Sequence, residues 1–314
     1  MKKVLVLGGT GFVGRHVCEQ LNRLGIRATV PTRRLARAQT VQMLPLVDVI
    51  EADIHDRATL QRLVAGHDAV VNLVAILHGS EQRFEQVHVQ LVQTLAEAMQ
   101  ASGVRRLVHI SALGAHPDGP SRYQASKARG EAVLAQSGLD VTVLRPSVIF
   151  GADDRFLNLF AKLQGLLPLV PLAGADTRFQ PVWVGDVAQA VVRCLRSPET
   201  IGQTYECTGA TTYTLAELVS LAGELSGNPR PVLGLPRALA YFQALFMELL
   251  PGEPLLSTDN LRSMEVDNVA SGALPGLPAL DITPSALEPI AARYLDLSGR
   301  ADPLLKVRET AHRR

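Results

Sequence analysis

The feature that most constrains this chain is a short apolar run followed at once by spaced glycines. Val4-Leu5-Val6-Leu7 reads as a fully buried strand, and Gly8-Gly9-Thr10-Gly11-Phe12-Val13-Gly14 follows it directly. The spacing is Gly8-x-x-Gly11-x-x-Gly14. A strand that turns sharply into a helix calls for a residue free of a Cβ at the turn. The helix start offers unpaired N–H groups and a positive dipole end to a pyrophosphate. Gly14 lets the helix lie close on the strand, and a βαβ continuation supplies the context such a loop needs. Gly8, Thr10, Gly11, Phe12, Val13 and Gly14 are therefore candidate dinucleotide-binding residues. The plain alternative is a tight structural turn.

The end of the second strand bears on the 2′ position of the adenine ribose. A carboxylate there would bond a ribose hydroxyl and select NAD(H). This chain reads Val30-Pro31-Thr32-Arg33-Arg34, with no acid in the stretch. Arg33 and Arg34 have the fixed donor forks that clamp a phosphate, and Arg15 adds charge at the helix start. NADP(H) is thus expected over NAD(H), against a plain solvated basic turn. Asp53, after the third strand, is placed either to meet the adenine edge or to serve as a turn residue.

Along the chain, short β runs alternate with amphipathic helices. Strands are expected at Val4–Leu7, Ala28–Val30, Val47–Glu51, Ala69–Leu73, Leu107–Ser111 and Val141–Leu144, and helices at Gly14–Leu24, 83–102 and Tyr123–Gln136. In the second helix Phe84, Val87, Leu91, Leu95 and Met99 recur at helical spacing. The alternation implies an α/β Rossmann fold, a doubly wound parallel sheet. After Gly151 the pattern loosens. It gives a strand-like Gln180–Val184, helices at Asp186–Leu195 and Thr214–Ser226, and a linker at Asn228-Pro229-Arg230-Pro231. The expected organisation is a dinucleotide-binding domain over 1–230, with interleaved substrate-side loops after 150. A smaller, mainly helical C-terminal region follows over 231–314, its tail Arg300–Arg314 frayed.

Tyr123-Gln124-Ala125-Ser126-Lys127 opens the helix that follows the fifth strand. Tyr and Lys four apart share a helix face, and a neighbouring ammonium is expected to lower the tyrosine pKa towards working pH. Such a tyrosine exchanges a proton with a substrate oxygen while a nicotinamide exchanges hydride. The alternative is a surface helix pair.

With these residues in view, the chain resembles an extended or atypical short-chain dehydrogenase/reductase of the NAD-dependent epimerase/dehydratase family. The resemblance covers residues 1 to about 225. It is carried by the glycine loop, Asp53, Val70-Val71-Asn72-Leu73-Val74-Ala75, Tyr123-x-x-x-Lys127, Leu144-Arg145-Pro146 and Pro181-Val182-Trp183-Val184-Gly185-Asp186-Val187-Ala188. Within the family it is similar to the NADPH-binding accessory subunit of respiratory complex I and its bacterial relatives. That similarity rests on Val30–Arg34, Ala75-Ile76-Leu77, Ser111–Ala115 and Phe150–Phe156, and more loosely on Asp267-Asn268-Val269 and Pro284–Leu287. The resemblance implies that Tyr123 is the acid/base, that Lys127 binds the nicotinamide ribose and that Ser111 orients substrate. It also implies that Leu73, Val74, Ala75 and Pro146 line the cofactor and that Arg145-Pro146 begins the substrate-side loop. Two departures stand out. Ser111 is flanked as Ile110-Ser111-Ala112, leaving its register open, and one step along a strand points a side chain to the other face. The helix position that often holds Asn is His88, either a donor in the same manner or an ordinary part-buried histidine.

Composition bounds the rest. Hydrophobic residues are 47% and charged residues 19% of 314, enough for a sizeable core, and a net charge of +1 gives no field for nucleic acid. Cys18, Cys194 and Cys207 have neither zinc nor disulfide spacing, so no metal site is expected and a reducing compartment is. No signal core and no apolar run of the roughly 18 residues a membrane span needs is present. A cytoplasmic protein is expected, at most peripheral to the inner membrane. Phe156–Phe160, Leu163–Leu172 and Leu235–Leu250 are rich in large apolar groups. Core packing explains most of this; the other reading is a quinone- or lipid-binding groove or a surface on a bilayer. Two functions follow: an NADP(H)-dependent oxidoreductase or epimerase with an apolar substrate, or a nucleotide-holding accessory protein of a respiratory complex I or quinone-biosynthesis assembly. Oligomeric state is left open.

Overall fold

Seven parallel strands form the sheet that carries the glycine loop. Across the sheet they run Thr204–Cys207, β6 (Asp140–Pro146), β5 (Arg106–Ile110), β4 (Ala69–Asn72), β1 (Lys3–Leu7), β2 (Arg27–Thr32) and β3 (Val47–Glu51). The computed structural model describes residues 1–249 and 256–295. The expected doubly wound Rossmann sheet is present. Its order reverses direction between β1 and β4, the switch point where open α/β sheets bind ligands. Val4 to Leu7 are fully buried, as the apolar run requires of a strand covered on both faces.

The helices up to residue 147 are α1 (Phe12–Arg23), α2 (Gln39–Gln42), α3 (Arg57–Val64), α4 (Glu81–Glu85), α5 (Leu91–Ser102) and α6 (Arg122–Gln136). The helix expected over 83–102 is α4, a π-helical stretch Gln86–Gln90 and α5 in succession. Its stripe Phe84, Val87, Leu91, Leu95 and Met99 is buried throughout. One core cluster joins Leu5, Leu7, Val70 and Leu107 of the sheet to Leu60, Val64, Leu91, Leu95, Met99 and Leu134 of the helices. The helix Val184–Arg196 packs on α1 and buries Val187, Ala190, Val191 and Cys194. The strand expected at Gln180–Val184 is only Val182–Trp183, and Val184 already belongs to that helix.

The boundary expected at residue 230 does not follow the compact units. One unit comprises Met1–Ser147, Val184–Thr208 and Ala270–Thr283; the other comprises Val148–Trp183, Gly209–Val269 and Pro284–Arg314. The reason is pairing: Thr204–Cys207 extends the large sheet beside β6, whereas the helix Leu215–Leu225 packs on the helix Leu157–Leu166. Asn228–Pro231 lies inside the second unit. There the buried Gln164 amide donates to Val219 O at 2.6 Å and accepts from Arg230 N–H at 3.1 Å.

In the second unit, Phe150, Leu157, Ala161, Leu218, Ala222 and Ala291 form a core against which Phe156 and Phe160 pack. Core packing thus accounts for the apolar segment 156–160. It does not account for the helix Arg237–Leu249, which buries Ala240 and Ala244 and turns its large groups outward. Phe242 is 72% exposed, Phe246 64% and Leu249 79%, with Leu239 and Leu245 also exposed. Ala240 and Ala244 pack in a small buried cluster with Ala173 and Leu261. The tail 300–314 lies outside the described residues.

Candidate functional site

The glycine loop is closed at Gly14 by backbone contacts that admit no side chain. Gly8 has φ +81°, and Gly11 N–H donates to Gly8 O at 3.0 Å. A Cβ on Gly14 would stand 2.2 Å from Gly8 O and 2.6 Å from Gly9 Cα, both backbone atoms. The close helix–strand approach expected of Gly14 is therefore real. Helix α1 starts at Phe12 with no side chain capping it and no acid in its first turn. Its first N–H groups and dipole end are thus left to an anion, and the loop fits a pyrophosphate. Thr10, Phe12 and Val13 flank this turn, and Arg15 Cζ lies 5.7 Å from the Phe12 ring centroid.

Arg33 and Arg34 are exposed just past β2. Thr32 Oγ1 holds their turn, accepting from Arg34 N–H at 3.3 Å. Asp53 Oδ1 accepts from His55 N–H at 3.0 Å, so it makes the turn after β3.

The segment after β4 is fixed at three successive points. Leu73 N–H donates to Leu7 O at 3.0 Å, Val74 N–H to Asn72 Oδ1 at 3.2 Å and Ile76 N–H to His88 Nε2 at 3.1 Å. Leu73 also lies against Gly8, where a Cβ would meet its carbonyl carbon at 3.2 Å. Leu73 thus borders the glycine loop at the switch point, and Val74 and Ala75 follow it in the chain. Pro146 ends β6, and its carbonyl accepts from Leu113 N–H at 2.9 Å.

Helix α6 brings the Tyr–Lys pair to the same end of the sheet. Ser121 caps it, its Oγ accepting from Gln124 N–H. Lys127 is 2% exposed, and its ammonium donates to Ile110 O at 2.7 Å. Burial pushes its pKa down to about 8, against an opposing pull from Glu131. Glu131 in turn accepts both forks of Arg145, at 3.0 and 2.5 Å. Tyr123 is half-buried, its ring edge-on to Phe84 and His88. Its pKa goes opposite to expectation. Burial alone pushes the phenol up to about 12, while the Lys127 ammonium bonds the β5 backbone. The register of Ser111 is settled by pairing. Ser111 N–H still bonds Leu144 O and Leu113 N–H bonds Pro146 O, so the extended run continues past Ile110. Ser111 therefore shares the sheet face of Leu107 and His109. Its Oγ is buried and has no hydrogen-bond partner among the described residues.

Two polar groups here escaped the sequence reading. His109 is buried in β5, its Nδ1 accepting from Asn72 Nδ2 at 3.2 Å, and burial beside Lys127 and His88 holds it well below the usual histidine range. Ser126 is fully buried and bonds His88 Nδ1 at 2.8 Å. A lone histidine in an apolar strand was the available signal for His109. Ser126 lay inside the Tyr-x-x-x-Lys motif.

A parallel sheet in this order, with a glycine loop at its switch point and a Tyr–Lys helix beside it, defines a Rossmann dinucleotide-binding protein. The chain belongs to the NAD dependent epimerase/dehydratase family, whose profile matches residues 4–208. It is 32% identical over 292 residues to the mitochondrial NADH dehydrogenase [ubiquinone] 1 alpha subcomplex subunit 9 of Mus musculus, covering 90% of this chain and 77% of that one. It is 29% identical over 197 residues to the ceramide reductase of Caulobacter vibrioides, covering 62% and 61%. A crystal structure of a Bacillus cereus UDP-glucuronic acid 4-epimerase variant, in complex with UDP-4-deoxy-4-fluoro-glucuronic acid and NAD, shares the fold. Its TM-score is 0.73 at 18% identity, over 93% of this chain and 98% of that one. Among the described residues, no helix is long and apolar enough to cross a membrane.

Proposed function

We propose that this protein is an NADP(H)-dependent oxidoreductase that reduces the carbonyl of an apolar, quinone- or lipid-like substrate. The observation that carries the proposal is the cluster at the switch-point end of the sheet. Tyr123 and Lys127 stand one turn apart on α6, and Ser111 Oγ is buried on the neighbouring strand without a partner among the described residues. A buried hydroxyl left unsatisfied is costly, and a substrate oxygen would satisfy it. Tyr123, raised to about 12, stays protonated at neutral pH and can give its proton to that oxygen. Lys127 anchors the nicotinamide ribose, and Leu73–Ala75 and Pro146 line the cofactor. The bound nicotinamide would supply hydride to the carbonyl carbon. Exposed Arg33 and Arg34, with Arg15, favour a 2′-phosphate and hence NADP(H). The Caulobacter ceramide reductase supports the apolar substrate.

A second reading has support of its own. The complex I subunits match nine-tenths of this chain, and the helix Arg237–Leu249 presents a large apolar face. On that reading the protein holds nucleotide within a respiratory or quinone-biosynthesis assembly, in the cytoplasm or peripheral to the inner membrane. Mass analysis of the nucleotide released from denatured protein tests the cofactor: NADP(H) is expected, and NAD(H) alone overturns the choice. Tyr123→Phe separates the two readings. An oxidoreductase loses at least about a hundredfold in turnover of a long-chain ketone and keeps its nucleotide; a holding subunit keeps its full cellular role.

A further inference from the structure

We infer that His88 is a positioning residue that ties the nucleotide-side segment Leu73–Ile76 to the helix bearing Tyr123 and Lys127. This rests on the nucleotide-binding reading above and adds a residue to it. His88 sits in the π-helical stretch Gln86–Gln90 and is 2% exposed. Both ring nitrogens are committed. Nε2 accepts from Ile76 N–H at 3.1 Å, so it carries no proton. Nδ1 must then be the protonated nitrogen of a neutral ring, and it donates to Ser126 Oγ at 2.8 Å. Ser126 Oγ–H passes the bond on to Tyr123 O at 2.9 Å. On the other side Leu73 abuts Gly8 and bonds Leu7. A continuous path thus runs from the glycine loop through Leu73–Ile76, His88 and Ser126 to the backbone of Tyr123.

Two further observations support a built link. A Cβ on Gly130 would lie 2.2 Å from His88 O, so α6 approaches the π-helical stretch as closely as backbone allows. A π-helical stretch adds a residue to the turn and re-aims side chains, and such stretches gather at functional sites. The ring also packs on Tyr123, with centroids 5.7 Å apart. Burial, with Lys127 nearby, pushes the His88 pKa down to about 3, so the neutral ring persists across physiological pH.

The two bonds can be removed separately. In His88→Gln the amide oxygen falls near the place of Nε2 and keeps an acceptor for Ile76 N–H. In His88→Asn the amide nitrogen falls near Nδ1 and keeps the bond to Ser126 alone. The readouts are Kd for NADPH by its fluorescence, Kd for 2′,5′-ADP as a probe of the adenine end, and Tm. His88→Gln, which gives up only the Ser126 bond, is expected to bind NADPH about threefold more weakly than wild type, and His88→Asn about tenfold more weakly, since the Ile76 N–H is orphaned. Ser126→Ala is expected to weaken NADPH binding about threefold or more, because α6 then loses its tie to the ring. All three should hold 2′,5′-ADP as wild type does. Equal losses in the Gln and Asn variants, a fall in 2′,5′-ADP affinity matching that for NADPH, or an unchanged Ser126→Ala protein would each overturn the link. Wild-type protein that binds neither ligand would instead overturn the nucleotide reading itself.

Discussion

One methyl group at position 14 decides whether the glycine loop closes. The atoms it would strike are the Gly8 carbonyl oxygen and Gly9 Cα, which no rotamer change can move. Gly14→Ala should therefore cost about 1–3 kcal/mol and abolish measurable NADPH binding, by urea denaturation and fluorescence titration. Gly11→Ala, with its nearest contact at 3.2 Å, should unfold close to wild type; equal losses for the two would contradict the contact argument. Lys127 makes a prediction of opposite character. Burial holds its folded pKa at about 8, below the roughly 10.4 of an unfolded lysine. Between these values the unfolded chain holds a proton that the folded chain has released, so this group's contribution to stability rises with pH across that window. Wild type should gain about 1–3 kcal/mol on Lys127→Met between pH 8 and 10 in urea denaturation. The buried thiols and phenols titrate alike in both proteins and cancel. A flat difference would reject the buried ammonium. The glycines and the Tyr–Lys spacing were legible in the sequence because backbone sterics and helix periodicity act locally. The direction of the Tyr123 shift was not, because it depends on Lys127 bonding Ile110 O across the fold.

Among elements, the strands and helices around the large sheet followed their patterns within a residue or two, since parallel strands buried on both faces leave an unmistakable apolar run. Two helices departed for different reasons. The periodicity of residues 83–102 showed one helix, and its stripe is indeed buried, but the π-helical turn at Gln86–Gln90 leaves no mark in a pattern of apolar spacing. The apolar run Leu235–Leu250 forms the helix Arg237–Leu249 with its large groups exposed, so core packing does not explain it. Periodicity gives the direction of the large side chains, not the side on which the protein lies. Alanine at 240 and 244 is the side that packs, against Ala173 and Leu261. Ala244→Leu should thus destabilise by about 1–3 kcal/mol, an overpacking cost, despite adding apolar surface. Phe246→Ser should change stability by no more than about 0.5 kcal/mol, because its ring is already in water. Thermal and urea unfolding of the pair decide the matter, and a larger loss for Phe246→Ser would restore the core reading of this helix.

For the whole molecule, the chain alternates between two compact units, which a single boundary at residue 230 cannot express. Hydrophobic pattern reports each element's faces; it does not report which distant strand edge an element will complete. The unit bearing the glycine loop and Tyr123 needs segments far along the chain. Helix Val184–Arg196 covers α1, and Thr204–Cys207 covers the edge of β6. Arg106, half-buried at the start of β5, donates to Cys194 O at 2.6 Å and Thr200 Oγ1 at 3.0 Å. The buried Glu206 carboxylate accepts from the N–H of Ser271 at 2.8 Å and from its hydroxyl at 3.1 Å. A fragment ending at Ser147 would uncover the apolar side of α1, leave β6 as an open edge and strand the Arg106 guanidinium. It should bind a hydrophobic dye, unfold without a cooperative transition and hold no NADPH. Joining Met1–Ser147, Val184–Thr208 and Ala270–Thr283 through flexible Gly/Ser linkers restores each of these contacts. That chain should unfold in one cooperative urea transition and bind NADPH. Cooperative unfolding of the 1–147 fragment alone would show that the segments after residue 183 decorate a nucleotide-binding fold already complete, rather than finish it.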